Sequence, residues 1–402
     1  MLFFKPLQAP AAAGFQATPA IELPRSGIQP EQLAVVFLQG DVLSEKIALY
    51  YAQQRKIPAK NVAAIALPST QGVVEPADFA VQKKVLDAKL GEHIQAYALA
   101  WAAPYRVGCM SISAAFAFGF DVAYCAQGCK PTRSSPYYSS ASVAPYRDFT
   151  LRPTMLLAAE NFEDAQQLIV RGIAADDTQP VGAAYLLETS DRARSVRKVF
   201  FPAVQTSFAQ THRVHLLKQN VLRNASDILF YFTGLSQVEA LDTLHFLPGA
   251  MADHLTSYGG VLPKSAHMTA MAWLQAGATA SYGTAVEPCA FVAKFPNPYL
   301  AMLHYGRGDS LLEAYWKSVQ MPGQGNFVGE PLAAPFRGYR LRREGRKLRV
   351  YSPLLYAGRY RVYASDIGIE RIVDEPRLRQ GQRSIVLEPP FSNVYRIERL
   401  LN

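Results

Sequence analysis

Residues 246–298 read FLPGAMADHLTSYGGVLPKSAHMTAMAWLQAGATASYGTAVEPCAFVAKFPNP. Two short apolar runs, 249–255 and 278–283, flank a helix-like segment at 266–276. Apolar runs of this length without polar alternation suit strands buried on both faces. Each run closes in polar, Gly and Pro residues that packing alone does not call for. Asp253, His254, Thr256, Ser257 and Tyr258 end the first, and Glu287, Cys289 and Lys294 end the second. The stretch is therefore both a piece of a buried sheet and a candidate site.

The same grammar extends in both directions. LAVVFL at 33–38 predicts a buried strand, a helix follows from about Ser44 as N-cap, and the Ile57-Pro58 pair stops it before a second strand at 62–67. A strand, a crossover helix and another strand imply a parallel pair and a doubly wound sheet. Further helices are expected at 76–90, 161–175, 299–306 and 310–319, and one at 195–210 broken by Pro202. Strands are expected at 96–102, 155–158, 182–187, 215–217 and 228–232. After Phe336 the period changes to two, with turns such as Glu344-Gly345 and Ala357-Gly358. The expected organisation is a leader or arm over 1–30, a mainly parallel α/β domain over 31–336 and a small antiparallel β-sandwich-like domain over 337–402.

The chain has 402 residues, half of them hydrophobic and 18% charged, a globular composition. No run reaches the roughly 18 apolar residues that a membrane helix needs, so no transmembrane segment is expected. The first 20 residues hold one Lys, a short apolar run and small residues, at best a truncated secretion signal. A periplasmic or extracellular location is favoured over a cytoplasmic one. The net charge of +9 is unevenly spread: from Arg337 onward 14 Arg and one Lys face seven acids, while residues 1–336 are close to neutral. Arg340, Arg342, Arg359 and Arg361 alternate with apolar or aromatic neighbours. This pattern fits a solvated face of a one-sided sheet, or a surface for an anionic polysaccharide or cell-surface component, with nucleic acid the less favoured partner.

Ligands of doubly wound sheets sit beyond the carboxyl ends of the strands. Arg106 and Cys109 follow one strand, Thr233 a second, Asp253 and Ser257 a third, and Glu287, Cys289 and Lys294 a fourth. All of them are candidate binding or catalytic residues of one crevice. His254 is the acid/base candidate by its ordinary pKa near neutrality, with a satisfied structural histidine as the plainer reading. Asp253 and His254 are adjacent, so within a strand they face opposite sides. Glu287 would need a partner such as Lys294 or Arg106. Cys109, Cys125, Cys129 and Cys289 are disulfide candidates, with a Cys125–Cys129 bridge pinning the long irregular stretch 110–152 and Cys109 near Cys289. Reduced, unrelated thiols are the plain alternative, and four metal-ligating thiols, or Cys289 as a nucleophile, are the less favoured readings. No G-x-G-x-x-G, Walker A, H-E-x-x-H or G-x-S-x-G motif occurs, and no cofactor or metal is expected.

Several segments carry a family resemblance: PGAMADHLTSYGG (248–260), WLQAGATASYGTAVEPC (273–289), KFPNP (294–298), EAYWKSV (313–319), VGEPLAAPF (328–336), YYAQQRKIPAKNV (50–62) and WAAPYRVGCMSI (101–112). On these the chain resembles a group of uncharacterised, predicted-exported bacterial proteins defined by sequence similarity alone. It is more distantly similar to caspase-like cysteine peptidases of the gingipain type, which implies a flavodoxin- or caspase-like α/β domain followed by a β module. In those enzymes a His-Gly pair follows one core strand and a Cys ends the next. Here the positions read Phe232-Thr233-Gly234-Leu235 and Ala252-Asp253-His254-Leu255, without the dyad. The resemblance implies a family and not a function, and the leading functional expectation is an envelope-associated binding or structural protein with a degenerate hydrolase-like crevice. The alternative is a peptidase-like hydrolase using His254 with Glu287 or Cys289.

Overall fold

A computed structural model describes residues 18–24, 27–126, 128–366 and 369–400. Contacts divide them into a large unit within 26–338 and a small one that joins residues from 339 onward with those before 26.

Ten strands form the large unit's main sheet: β1 Leu33–Leu38, β2 Val62–Ile65, β3 Ala96–Leu99, β4 Thr154–Leu156, β5 Ala183–Glu188, β6 Arg213–Lys218, β7 Ile228–Thr233, β8 Phe246–His254, β9 Ala280–Thr284 and β10 Gly325–Gly329. Their order is β6-β5-β7-β8-β9-β10-β4-β3-β1-β2. Every adjacent pair is parallel except β9 and β10, which run antiparallel from Ala280↔Gly329 to Thr284↔Gly325. The sheet is therefore two parallel halves pointing in opposite directions. Half one is β2-β1-β3-β4-β10 and half two is β6-β5-β7-β8-β9. Each, numbered along its own chain order, reads 2-1-3-4-5, the order of flavodoxin-type doubly wound sheets. The mainly parallel α/β expectation holds, but the reversal at β9–β10 puts the carboxyl ends of the two halves at opposite edges.

Helices cover both faces. α1 (Val42–Gln54), α4 (Phe162–Ala175), α7 (Pro298–Tyr305) and α8 (Leu311–Ser318) bury Tyr51, Ile169, Met302 and Trp316 on one face. On the other, α2 (Pro76–Leu90), α3 (Ile112–Phe118) and α6 (Ala270–Gln275) bury Phe79, Phe116 and Met271. Asp41, not Ser44, caps α1, its carboxylate accepting from Ser44 N at 3.0 Å, while Ser44 Oγ accepts from Leu38 N at 2.9 Å. Pro202 opens α5 (Phe201–Phe208) instead of breaking a longer helix, because in the first turn its missing N–H is not needed.

The acids and bases of the 313–319 and 328–336 motifs lie inside this frame. Glu330 is fully buried and takes a two-toothed ion pair from Arg55 (2.8 and 2.7 Å) and a hydrogen bond from the Tyr51 hydroxyl (2.6 Å). Glu313, also fully buried, accepts from Ser310 Oγ, Ser310 N and Ile28 N. These side chains lock helices and the 27–30 segment to the sheet.

In the small unit, β11 (Arg340–Glu344), β12 (Lys347–Tyr351) and β16 (Ser384–Leu387) form one sheet. β13 (Gly358–Ser365), β14 (Glu370–Asp374), β15 (Arg377–Leu378) and β17 (Val394–Leu400) belong to the other. Val350, Ile385, Tyr360, Val362, Tyr395 and Ile397 pack between them. The expected leader is described only in part, since 1–17 lie outside the described residues. Its Ala20–Glu22 segment is a strand, paired parallel to β17, and Ile21 joins this core. The arm reading is corrected there: Ile21 and Ile28 are apolar residues with core positions to fill, one in each unit.

The bridges also differ from expectation. Cys109 pairs with Cys125 and Cys129 with Cys289, each with Cα atoms 5.3 Å apart. The segment after β3 doubles back into α3 and brings Cys109 to the turn at Val122–Tyr124, so the partner close in space replaces the one close in sequence.

The seam depends on close backbone approach. A Cβ on Gly283 would lie 2.4 Å from the Gly259 carbonyl carbon and 2.6 Å from Gly260 N. Gly283→Ala is expected to lower unfolding free energy by about 1–3 kcal/mol, as overpacking does. Urea denaturation would show it; an unchanged midpoint would mean that the 257–260 loop moves aside freely.

Candidate functional site

β8 alternates as a strand must. Met251, Asp253 and Leu255 point to the α7–α8 face, and Ala252 and His254 to the α6 face. The two polar neighbours therefore do separate jobs. Asp253 is 1% exposed and pairs with Arg197 Nη1, itself 2% exposed. Arg197 also donates to Thr233 O at 2.7 Å and Pro296 O at 3.4 Å. One guanidinium thus ties together the ends of β7 and β8 and the 294–298 segment. Burial raises the Asp253 carboxyl to about 6, opposed by the Arg197 charge. A buried pair of this kind locks geometry, and losing one partner would strand a charge.

His254 receives the Trp273 indole N–H at Nδ1 (2.9 Å) and lies 3.1 Å from Met268 O through Nε2. Those partners assign the proton to Nε2, and both nitrogens are engaged. Burial pushes this imidazole down to about 3, with the carbonyl opposing and the Arg197 charge reinforcing. At 1% exposure, with both nitrogens engaged, it has the surroundings of a satisfied structural histidine.

Beyond β8, Thr256 Oγ1 lies 2.9 Å from His267 Nδ1 and accepts from Arg194 Nε at 3.1 Å. This is a hydroxyl–imidazole pair, and its hydroxyl is buried, Thr256 being 1% exposed. Ser257 meets His267 through its carbonyl, not its hydroxyl. Glu287 accepts from Cys289 N at 2.8 Å, and Cys289 is bridged, so it supplies no thiolate. Lys294 is fully buried, its ammonium without a hydrogen-bond partner among the described residues; burial lowers its pKa, and Glu287 opposes. Its carbonyl accepts from the Tyr282 hydroxyl at 2.6 Å.

The expected convergence of all candidates on one crevice needs correction. β3 ends at the edge opposite to β7, β8 and β9, because half one runs the other way. Arg106 and Cys109 return toward the β9–β10 seam only through chain reversal, where Asn326 Nδ2 donates to Tyr105 O (2.8 Å) and Gly260 O (2.9 Å). Thr233, Asp253 and Lys294 do gather round Arg197 and Tyr282, but as a closed polar plug. The reversal point of half two, between β5 and β7, is also shut. Thr189 Oγ1 donates to Gly234 O at 2.7 Å, and a Cβ on Gly234 would meet Arg194 O at 1.9 Å.

The corresponding point of half one is open. Over the carboxyl ends of β1 and β3 lies a cavity of about 240 Å³, bordered by Asp41, Ser44, Ala100, Trp101, Ala103 and Glu160. A smaller cavity of about 60 Å³ also borders Ala159 and reaches Arg171. Arg171 Nη2 donates to Leu274 O and Ala278 O, its Nε has no partner among the described residues, and burial lowers its pKa to about 10. Sequence reasoning missed Arg197, Trp273 and this crevice. The first two sit in segments without a recognisable motif, and the crevice draws on four separate stretches between Asp41 and Pro263 that form no motif along the chain.

The fold and these strand ends define a doubly wound α/β protein with two opposed halves, one edge plugged and one open. No protein-family model matches the chain, so the resemblance to an exported bacterial family is without that support, and no curated protein matches either. One solved structure, described as "Structure of Protease", matches at 12% identity over 92% of this chain and 97% of that one, with a TM-score of 0.41. No helix among the described residues is long and apolar enough to cross a membrane, and none of their His, Cys, Asp and Glu side chains group to hold a metal.

His254 offers a pH test. Its folded pKa lies below the unfolded value, so the stability it contributes is complete above about pH 6.5 and is lost as pH falls toward about 3. The stability of His254→Gln, measured by denaturation from pH 7 to 4, is expected to fall less steeply than that of the native protein. Parallel curves would show that the native imidazole is not held neutral.

Proposed function

We propose that this chain is a non-catalytic binding protein of an oxidising compartment, the periplasm or surface of a bacterium, with a degenerate hydrolase-like crevice in half two. The observation that carries the reading is the engagement of both His254 nitrogens, by Trp273 and Met268, under full burial. A general base needs a free lone pair within reach of substrate, and this imidazole has none. The other members of the alternative hydrolase are no better placed: Cys289 is a cystine sulfur, and Glu287 is held by the Cys289 amide.

Two cystines support an oxidising compartment, since thiols stay reduced in the cytosol. The half-one crevice, at the strand-order reversal where doubly wound proteins bind, is the place for a small ligand with an apolar body. The arginine-rich small unit supports an anionic polysaccharide or another anionic cell-surface component as partner.

The test is labelling of the purified full chain with thiol- and serine-directed activity probes, with His254→Ala alongside. No labelling of the native protein is expected. Labelling that His254→Ala abolishes would overturn the non-catalytic reading.

A further inference from the structure

We propose that the small unit carries a built polyanion site, formed by Arg359, Arg377 and Arg379 with Arg399 behind them, and that its ligand is an acidic polysaccharide. The inference deepens the reading of the small unit given above and rests on it for the class of polymer.

The site is a cavity of about 900 Å³ bordered by the three exposed arginines, with Ala357, Leu378 and Gln380. That volume is in the range of ligand pockets and far exceeds one inorganic anion. β13 and β15 pair antiparallel with Arg359 directly opposite Arg377. Like charges in that position destabilise a sheet, and no described acid relieves them. The acids from residue 339 onward are engaged elsewhere: Glu344 with Arg342 and Arg349, Glu375 with Arg361, Glu370 and Glu398 with Arg396, Glu388 with Lys347, Asp366 with Arg371, and Asp374 with the Glu375 amide. Among the described residues no carboxylate comes within ion-pair reach of Arg359, Arg377 or Arg379.

Arg399 adds a second, independent sign. Its guanidinium lies 4.1 Å from the Tyr356 ring centroid and donates to Tyr356 Oη (2.7 Å) and to the carbonyl of Ala357, a cavity residue (3.1 Å), while its buried Nε has no partner among the described residues. The fixed forks of several guanidiniums match carboxylate, sulfate or phosphate groups repeated along a chain. No aromatic ring borders the cavity, so the stacking platform that single-stranded nucleic acid uses is missing. The Gln380 amide suits the hydroxyls of a sugar. The sheet tolerates an unfavourable pair of charges because a polyanion neutralises them when bound.

The experiment uses the full chain, with polygalacturonate and dextran sulfate as carboxylate and sulfate glycans and an oligothymidylate of about 30 residues, long enough to span several single-strand binding sites, as nucleic acid. Binding is compared among the native protein, Arg359→Gln/Arg377→Gln/Arg379→Gln, and Arg342→Gln/Arg346→Gln/Arg371→Gln, which loses the same charge elsewhere. Binding to one or both glycans is expected to weaken at least about tenfold in the cavity variant, since each contact is a modest exposed ion pair and three are lost together. The charge-matched control should change much less. Without ligand, the thermal midpoint of the cavity variant should hold or rise, because like charges have been removed. Equal weakening in both variants would overturn the cavity while leaving the small unit's anionic partner intact. No glycan binding by the native protein would overturn both. Tighter binding of the oligothymidylate would overturn the glycan class, and a lowered midpoint would make these arginines structural.

Discussion

The antiparallel pairing of β9 with β10 governs the large unit. A parallel sheet of ten strands would open all its carboxyl ends on one edge and give one crevice. Reversal at this seam divides it into two halves of the same strand order, each with its own reversal point and its own edge. The seam tolerates little bulk, since Gly283 touches the backbone of Gly259 and Gly260. Asn326, on β10, anchors the 105 and 260 segments together with its one amide. The loop that follows β3 is thereby held against the loop that follows β8, and the bridges from Cys109 to Cys125 and from Cys129 to Cys289 secure the same region covalently. The Cys129–Cys289 bridge spans 160 positions, and closing so long a loop restricts the unfolded chain more than closing a short one.

What each edge can do follows from what fills it. In half two the ends of β7 and β8 meet one buried guanidinium, which pairs with the equally buried Asp253, and losing either partner would leave an uncompensated buried charge. Arg197 holds Thr233, Asp253 and Pro296 together, and with them the ends of β7 and β8 and the 294–298 segment. His254, on the other face of the same strand, is used as a spacer between Trp273 and Met268. In half one the corresponding point is a cavity bordered by the small residues Ala100 and Ala103 as well as by Trp101 and Glu160.

The small unit follows other rules. It is a pair of sheets around a core of Val350, Tyr360, Val362, Ile385 and Ile397, and its charge is unevenly placed, with Glu344, Glu370 and Glu375 ion-paired on one set of arginines and Arg359, Arg377 and Arg379 left without carboxylates among the described residues. A protein under selection for stability alone would disperse those charges. Arg359, Arg377 and Arg379 are concentrated around one concavity instead.

Much of the frame was legible in the sequence, and for a simple reason. Strands buried on both faces must be continuous apolar runs, so LAVVFL and the run at 228–232 declared themselves, and the helices expected at 161–175 and 310–319 are α4 and α8. The change to period two after Phe336 and the excess of arginine there were equally plain. The alternation of a strand also separated Asp253 from His254 without any tertiary information. Direction and partnership were not legible. Nothing local in GNFVG tells whether it pairs parallel or antiparallel to β9, because that depends on where the rest of the chain has run. Cys125 and Cys129 are near neighbours along the chain, yet folding brought each a more distant partner. The guanidinium that closes half two comes from Arg197, whose sequence neighbours give no sign of it. Local composition, period and capping were therefore determined by the sequence itself, whereas which strand ends share an edge, and whether that edge is filled or open, were decided by tertiary structure, since both depend on contacts between residues far apart along the chain.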